Sequence, residues 1–434
     1  MTERDLAGER GLMRDLVAEL YPLPRSVAGP GLRQSLEIIG ERIPLVRHDV
    51  PTGTPVFDWE IPPEWTIRDA WIADRGGRRV VDFRTSNLHV VSHSAPVPRQ
   101  WMSRDALLSH LHTLPDRPGL VPYRTSFYAD GWGFCLAHEV LETMTDPEYE
   151  VCIDADLAQG SLSYGEFSLP GTCGREFLLS AHVCHPSLAN DNLSGVAVAV
   201  AVARRIAART AAPKLGLRVV FAPGTIGTVA WLARNPERVA SIAGGLTLVC
   251  LGDDRPLTYK RSLHGRTGSD AAAEHVLLAR DAAAEIIDYH PWGYDERQYN
   301  SPGFRLPVGS LMRGRHGQFP EYHTSADNLG FISADRLADS VDAVAAIYDE
   351  LSDDETYVTL VAHGEPQLGR RGLYRSVGGL ADPESHQLAM LWILALSDGR
   401  TSLGAIARRS GLPPSVLRAA ASALRAAGLV GTPA

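Results

Sequence analysis

The chain has 434 residues, 44% hydrophobic and 21% charged, enough to bury sizeable cores and to divide into two or three domains. Its formal charge of -9 gives no general attraction to nucleic acid or anionic lipid. With a charged opening at Met1–Arg10 and no run of about 18 apolar residues, neither signal peptide nor membrane span is expected, and the cytoplasm is the expected compartment.

From Leu6 to Ile43 the apolar spacing predicts amphipathic helices with a Pro/Gly break at 21–30. From His48 to about Glu139, short strand-like runs between Pro and Gly predict an inserted β-rich domain. Its aromatics, among them Trp59, Trp65, Trp71 and Trp132, form either that domain's core or the lining of a cleft. From about Glu150 to Leu351 strands alternate with helices: Glu176–Ala181 as strand, Val196–Ala208 as helix, then L-R-V-V-F, a helix at Thr228–Arg234, L-T-L-V-C-L, a helix at Asp270–Ile287 and L-P-V-G-S-L. This order predicts an α/β fold, a mostly parallel sheet with helices on both faces.

The stretch from His386 to Val430 has helix-turn-helix spacing and resembles a winged-helix domain, with Gly411 at the turn and Pro413–Pro414 opening the next helix. Arg408, Arg409, Arg418 and Arg425 could meet phosphates, but an acidic chain favours dimerisation or partner docking over nucleic acid. The expected division is N-terminal helices at 1–48, β-rich insertion at 49–142, α/β domain at 143–355 and winged helix at 360–434. Five cysteines, Cys135, Cys152, Cys173, Cys184 and Cys250, include no C-x-x-C pair, so reduced thiols are expected. Ala and Arg outnumber Ile and Lys, as in a high-GC bacterial genome.

The most informative stretch is F-L-L-S-A-H-V-C-H-P-S-L-A-N-D-N-L-S-G, ending at Gly195. His182 lies just past a strand's carboxyl end, and Asp191 lies near a helix N-terminus that favours the ionised carboxylate. An ionised Asp and a neutral His are zinc ligands. The alternative is that Asp191 or Asn192 caps the helix while His182 and His185 are loop histidines held by hydrogen bonds. A second run, G-Q-F-P-E-Y-H-T-S-A-D-N-L, places His323 after an aromatic and before an acidic turn.

Together S-A-H…N-D-N-L-S-G and Y-H-T-S-A-D resemble the motifs of the co-catalytic zinc aminopeptidases. The chain resembles more closely the aminopeptidase-like proteins long labelled a domain of unknown function, found beside polysaccharide and natural-product genes. With these it shares P-G-T-I-G, Y-K-R-S, D-E-R-Q-Y and F-P-E-Y-H-T-S-A-D-N-L in the same order. The resemblance implies a zinc exopeptidase-like fold with the N-terminal helices packed onto the catalytic domain, and it carries His182, Asp191 and His323 over as metal ligands. It also implies a Glu-Glu pair where this chain has Gly224 and Thr225, and an Asp where it has Val249 and Cys250. One zinc ion is therefore expected, without ligands for a second; two His, one Asp and an open position suffice for a catalytic zinc.

With the usual base absent, Glu296 and Glu321 are the expected catalytic carboxylates; the alternatives are an exposed turn for Asp295-Glu296-Arg297 and a surface carboxylate for Glu321. Asp295, Tyr259, Lys260, Arg313 and His185 are the substrate-binding candidates. Against these stand an exposed basic loop at 259–261 and, for His185, a spare ligand or a proton shuttle. Cys184 is either a metal ligand or nucleophile, or a small buried filler. The resulting expectation is a zinc-dependent hydrolase of aminopeptidase type, cleaving an amide bond of a small aminoacyl or peptidyl substrate in a specialised metabolite pathway. The alternative is a non-catalytic, metal-retaining scaffold, with the winged helix open to homo-oligomerisation or a protein partner.

Overall fold

The computed structural model describes residues 3–373 and 383–432. Its central element is an eight-stranded sheet. Glu176–His182, Gly216–Ala222, Ile242–Leu248 and Val308–Met312 are buried almost throughout and pair in parallel, as strands covered on both faces do. Val46–Pro51 and Ser161–Leu169 extend one side antiparallel. On the other side Thr258–Lys260 runs antiparallel to Val308–Met312 and carries Glu285–Ile287 at the edge. The sheet is thus mixed, parallel at its centre.

One face is covered by Glu3–Leu20, Pro30–Gly40, Gly195–Ala207 and Ala334–Ser352, which place Met13, Leu16, Leu36, Val200, Val344 and Tyr348 in one core. On the other, Ile226–Arg234 buries Trp231 against Leu178, Val220 and Tyr299. The helix expected over Asp270–Ile287 is two elements. Thr267 and Asp270 form a capping box, the helix ends at Arg280, and Asp281 turns to extended backbone (φ -146), freeing Glu285–Ile287 to pair as a strand.

The insertion is a four-stranded antiparallel sheet, Glu64–Ala73, Arg79–Asp82, Val97–Ser103 and Glu148–Ala158, over its own core of Trp65, Ile72, Val81, Phe134 and Val151. Both expected boundaries shift: Val46–Pro51 belongs to the central sheet, and the insertion's sheet reaches Ala158 because Glu148–Ala158 pairs with two of its strands. The aromatics divide. Trp65 is core and donates to Ser94 O at 2.9 Å, whereas Trp59 is exposed and meets Tyr128 edge-on.

The C-terminal winged helix joins three helices, Pro383–Leu396, Leu403–Ser410 and Pro414–Ala426, to a three-stranded sheet. Gly411 supplies the left-handed turn (φ 72) between the last two helices. That turn, Gly411 to Pro414, faces Ala271, Ala272 and His275 of the α/β domain across a shared cavity. The helix end that enters the major groove in DNA-binding relatives of this motif is therefore turned toward the chain's own α/β domain. Among the described residues no helix is long and apolar enough to cross a membrane.

Candidate metal centre

The motif N-D-N-L-S-G follows the strand that ends at His182, and each of its residues has a structural task. Asn190 accepts from Gly252 N (2.8 Å) and donates to Asp253 Oδ2 (2.8 Å). Asn192 donates to Leu248 O (2.8 Å) and accepts from Cys250 N (3.2 Å). A Cβ on Gly195 would stand 2.5 Å from Leu248 O, so only glycine lets the loop seat on the next strand. Fixed on both sides, the loop presents Asp191, 1% exposed.

Both Asp191 oxygens face imidazoles: His182 Nε2 lies 2.8 Å from Oδ1 and His323 Nε2 lies 2.9 Å from Oδ2. The three expected ligands thus come together, and His185 joins them, its ring 4.9 Å from that of His182 and 5.3 Å from that of His323. Burial alone would raise the Asp191 pKa, but the attraction of His185 and the hydrogen bonds from His182 and His323 outweigh it, leaving the carboxyl well below its ordinary range. Burial pushes the His185 pKa well below its ordinary value, against the pull of Asp191. An ionised carboxylate amid three histidines, with His182, His185 and Asp191 offering ligand atoms within 4.8 Å of one another, fits a divalent cation of zinc type.

Neighbouring residues not anticipated from the sequence complete the setting. Asp327, the acid of Y-H-T-S-A-D, accepts from the backbone N–H of Asn190 (2.6 Å) and Asp191 (2.9 Å) and so orients the ligand loop. Tyr322 stacks on His323 at 3.9 Å. Tyr123, from the insertion, donates its N–H to His323 O at 2.8 Å and packs its ring 5.0 Å from both His185 and His323. The insertion therefore walls the centre. Its signal, one Tyr among many aromatics, is not local in sequence.

The corner where the resemblance expects the Glu pair is filled by other groups. A Cβ on Gly224 would fall 1.8 Å from Tyr294 Oη, and the Tyr294 ring lies 4.1 Å from that of His182. Thr225 sits at positive φ (63), a costly conformation for a β-branched residue, and donates its N–H to Asp295 Oδ1 at 2.7 Å. Val249 and Cys250 pack with Phe319, Tyr322 and Phe331. The Cys184 thiol, pushed up to about 12 by burial, accepts from Gly224 N at 3.2 Å, as a buried packing residue does.

The remaining candidates lie around this core. Asp295 and Glu296 are buried rather than exposed. Glu296 accepts from Lys260 Nζ (2.7 Å) and from Tyr294 N (3.0 Å). This pair lines a cavity of about 330 Å³ with Tyr294, Trp292 and His316, so Tyr294 belongs to both cavity and metal centre. The exposed basic loop weighed for 259–261 is instead a buried strand up to Lys260. Tyr259 donates to Asp270 at 2.9 Å inside the core. Arg313 is held by Leu251 O, Arg255 O and Asp339, and Glu321 pairs with Arg255 at 3.0 Å. None of these last three residues hydrogen-bonds to Asp191, His182 or His323.

Burial raises the Asp295 pKa to about 6 from the ordinary Asp value of about 3.9. Because the folded state holds this proton more tightly, its contribution to stability is fully present below about pH 4 and is lost as pH rises through about 6. In chelator-treated protein, Asp295→Asn is expected to remove a destabilisation on the order of 2–3 kcal/mol between those limits, read as a flatter urea-unfolding profile against pH.

Residues 14–354 match the family described as Domain of unknown function (DUF4910), and residues 355–432 match a winged helix-turn-helix family. A Clostridium acetobutylicum protein, provisionally named a polysaccharide biosynthesis protein with aminopeptidase-like domain, is 43% identical over 95% of this chain and 94% of its own. A crystal structure from the same organism, provisionally called a peptidase, is 41% identical, covers 99% of this chain and 97% of its own, and superposes with a TM-score of 0.84. The zinc aminopeptidase BSAP of Bacillus subtilis is 14% identical, covers 79% of this chain and 94% of its own, and gives a TM-score of 0.57, a likeness of fold alone.

Proposed function

The chain belongs to the family described as Domain of unknown function (DUF4910), joined to a winged helix-turn-helix, and from that membership we propose that it is a single-zinc hydrolase of aminopeptidase type. The observation that carries the reading is the buried Asp191 carboxylate with an imidazole nitrogen at 2.8 and 2.9 Å from its two oxygens. His182 and Asp191 would hold the ion with one further histidine of the cluster. Bound there, zinc supplies Lewis-acid polarisation of a carbonyl and a water of lowered pKa.

The chain's own residues supply the rest. Asp295 stands where the fold's Glu pair is absent, held by the Thr225 N–H; a carboxyl near pKa 6 is suited to taking and returning a proton near neutrality. Glu296 and Glu321, the carboxylates favoured by sequence, are each paired to a cation. We therefore assign proton transfer to Asp295, and to Glu296 the task of fixing Lys260 at the cavity.

A cavity of about 330 Å³ admits one small group, which suits a small aminoacyl or peptidyl substrate. The Clostridium relative's name suggests that such a substrate belongs to polysaccharide assembly. The missing carboxylates favour a second reading, a metal-retaining scaffold without turnover.

Both readings meet the same experiment, zinc per chain by elemental analysis followed by a screen of aminoacyl amides. About one zinc, absent from His182→Ala, is expected. Asp295→Asn is expected to lose about 10²–10⁴-fold in turnover while keeping its zinc, with smaller losses for Glu296→Gln and Glu321→Gln. Zinc without turnover on any amide would favour the scaffold, and a chain that purifies without zinc and takes none up would sink the hydrolase.

A further inference from the structure

Asp191 is approached from two sides, and the two sides differ. Toward Oδ2 stands His323, stacked on Tyr322, with Asp191 as the carboxylate its Nε2 meets; the corner closed by Tyr294 lies on the other side, 4.1 Å from the His182 ring. Toward Oδ1 stands His182, and beside it His185. His182, His185 and Asp191 offer ligand atoms within 4.8 Å of one another, little more than twice a zinc–ligand distance of about 2.0–2.2 Å. His323 is not part of that set.

His185 is also built in rather than incidental. Its side chain belongs to a loop, yet it is only 5% exposed. Its carbonyl is gripped by the fully buried Arg25, whose Nε and Nη2 donate to it at 3.0 and 2.6 Å. A buried guanidinium is costly to place, and here two of its donors serve to fix the backbone of one histidine. Its Nδ1 lies 3.3 Å from Cys184 Sγ, which leaves Nε2 as the ligand atom, and Tyr123 packs against the ring at 5.0 Å.

We infer that His185, rather than His323, is the third protein ligand. It supplies the ligand that no further carboxylate provides, so that the ion seats on the His182 side of Asp191. His323 then acts as a positioning residue that holds the second Asp191 oxygen, as partners of metal-bound carboxylates do. The inference rests on the single-metal reading and specifies its ligand set.

Cobalt(II) titration of the full chain tests it, read by affinity and by the visible d–d spectrum, which reports the ligands directly. His185→Ala is expected to weaken cobalt binding by more than about 100-fold and to change the spectrum. His323→Ala is expected to lose about 10–100-fold, the range for an outer partner, with the spectrum kept. The reverse pattern, an unchanged spectrum in His185→Ala and a changed one in His323→Ala, would overturn the assignment. His185→Gln, with the melting temperature of each metal-free variant, covers the case in which the alanine variant does not fold; binding and spectrum unchanged in His185→Gln would equally overturn it. Wild-type protein that binds no cobalt would instead overturn the metal reading itself, and the ligand assignment with it.

Discussion

Asp191→Asn is expected to strip the centre of its ion and abolish turnover together. The carboxylate is 1% exposed, and the imidazoles of His182 and His323 stand against its two oxygens. Removing one member of a buried charge pair costs about 3–5 kcal/mol, which for a bound divalent cation is about 10²–10⁴-fold in affinity. The amide side chain preserves shape and can still meet the loop, so the fold should persist. Isothermal titration with zinc, with elemental analysis of the protein as purified, checks the result. A variant retaining one zinc at unchanged affinity would place the ion elsewhere.

The parts of this molecule legible in sequence are those encoded locally. Apolar strand runs and helix periodicity give the central sheet, and S-A-H…N-D-N-L-S-G gives a histidine at a strand end and an aspartate before a helix. Less legible was what holds them. Asp327 orients the ligand loop from 136 positions away, and Tyr123 reaches the centre from an inserted domain whose aromatics carry no label of which are core. Arg313 looked like a substrate-binding cation because it follows an apolar strand, but its guanidinium serves carbonyls and Asp339 in the scaffold. The strand Glu285–Ile287, three residues long, cannot show a period of two and merges with the preceding helical pattern.

The loss of the Glu pair was legible, but its consequence was not, because it depends on Tyr294, a contact across 70 positions. Restoring one carboxylate by Gly224→Glu is expected to fail as a repair. The new Cβ would stand 1.8 Å from Tyr294 Oη and 2.2 Å from its Cζ, so the aromatic ring must leave its place beside His182, and a charge enters a buried corner. Overpacking with an unpaired buried charge places the cost above about 4 kcal/mol. The milder Gly224→Ala isolates the steric part, at about 1–3 kcal/mol. If the ring is the cause, Tyr294→Ala should make room, and Gly224→Ala in that background should cost little. Chemical denaturation of the four proteins in this cycle is expected to give a coupling of about 1–3 kcal/mol. Additive effects would mean that the loop backbone, strained at Thr225, and not the phenol excludes a side chain there. In the coupled case the corner is filled by the Tyr294 phenol, and that phenol is what keeps a side chain out of position 224.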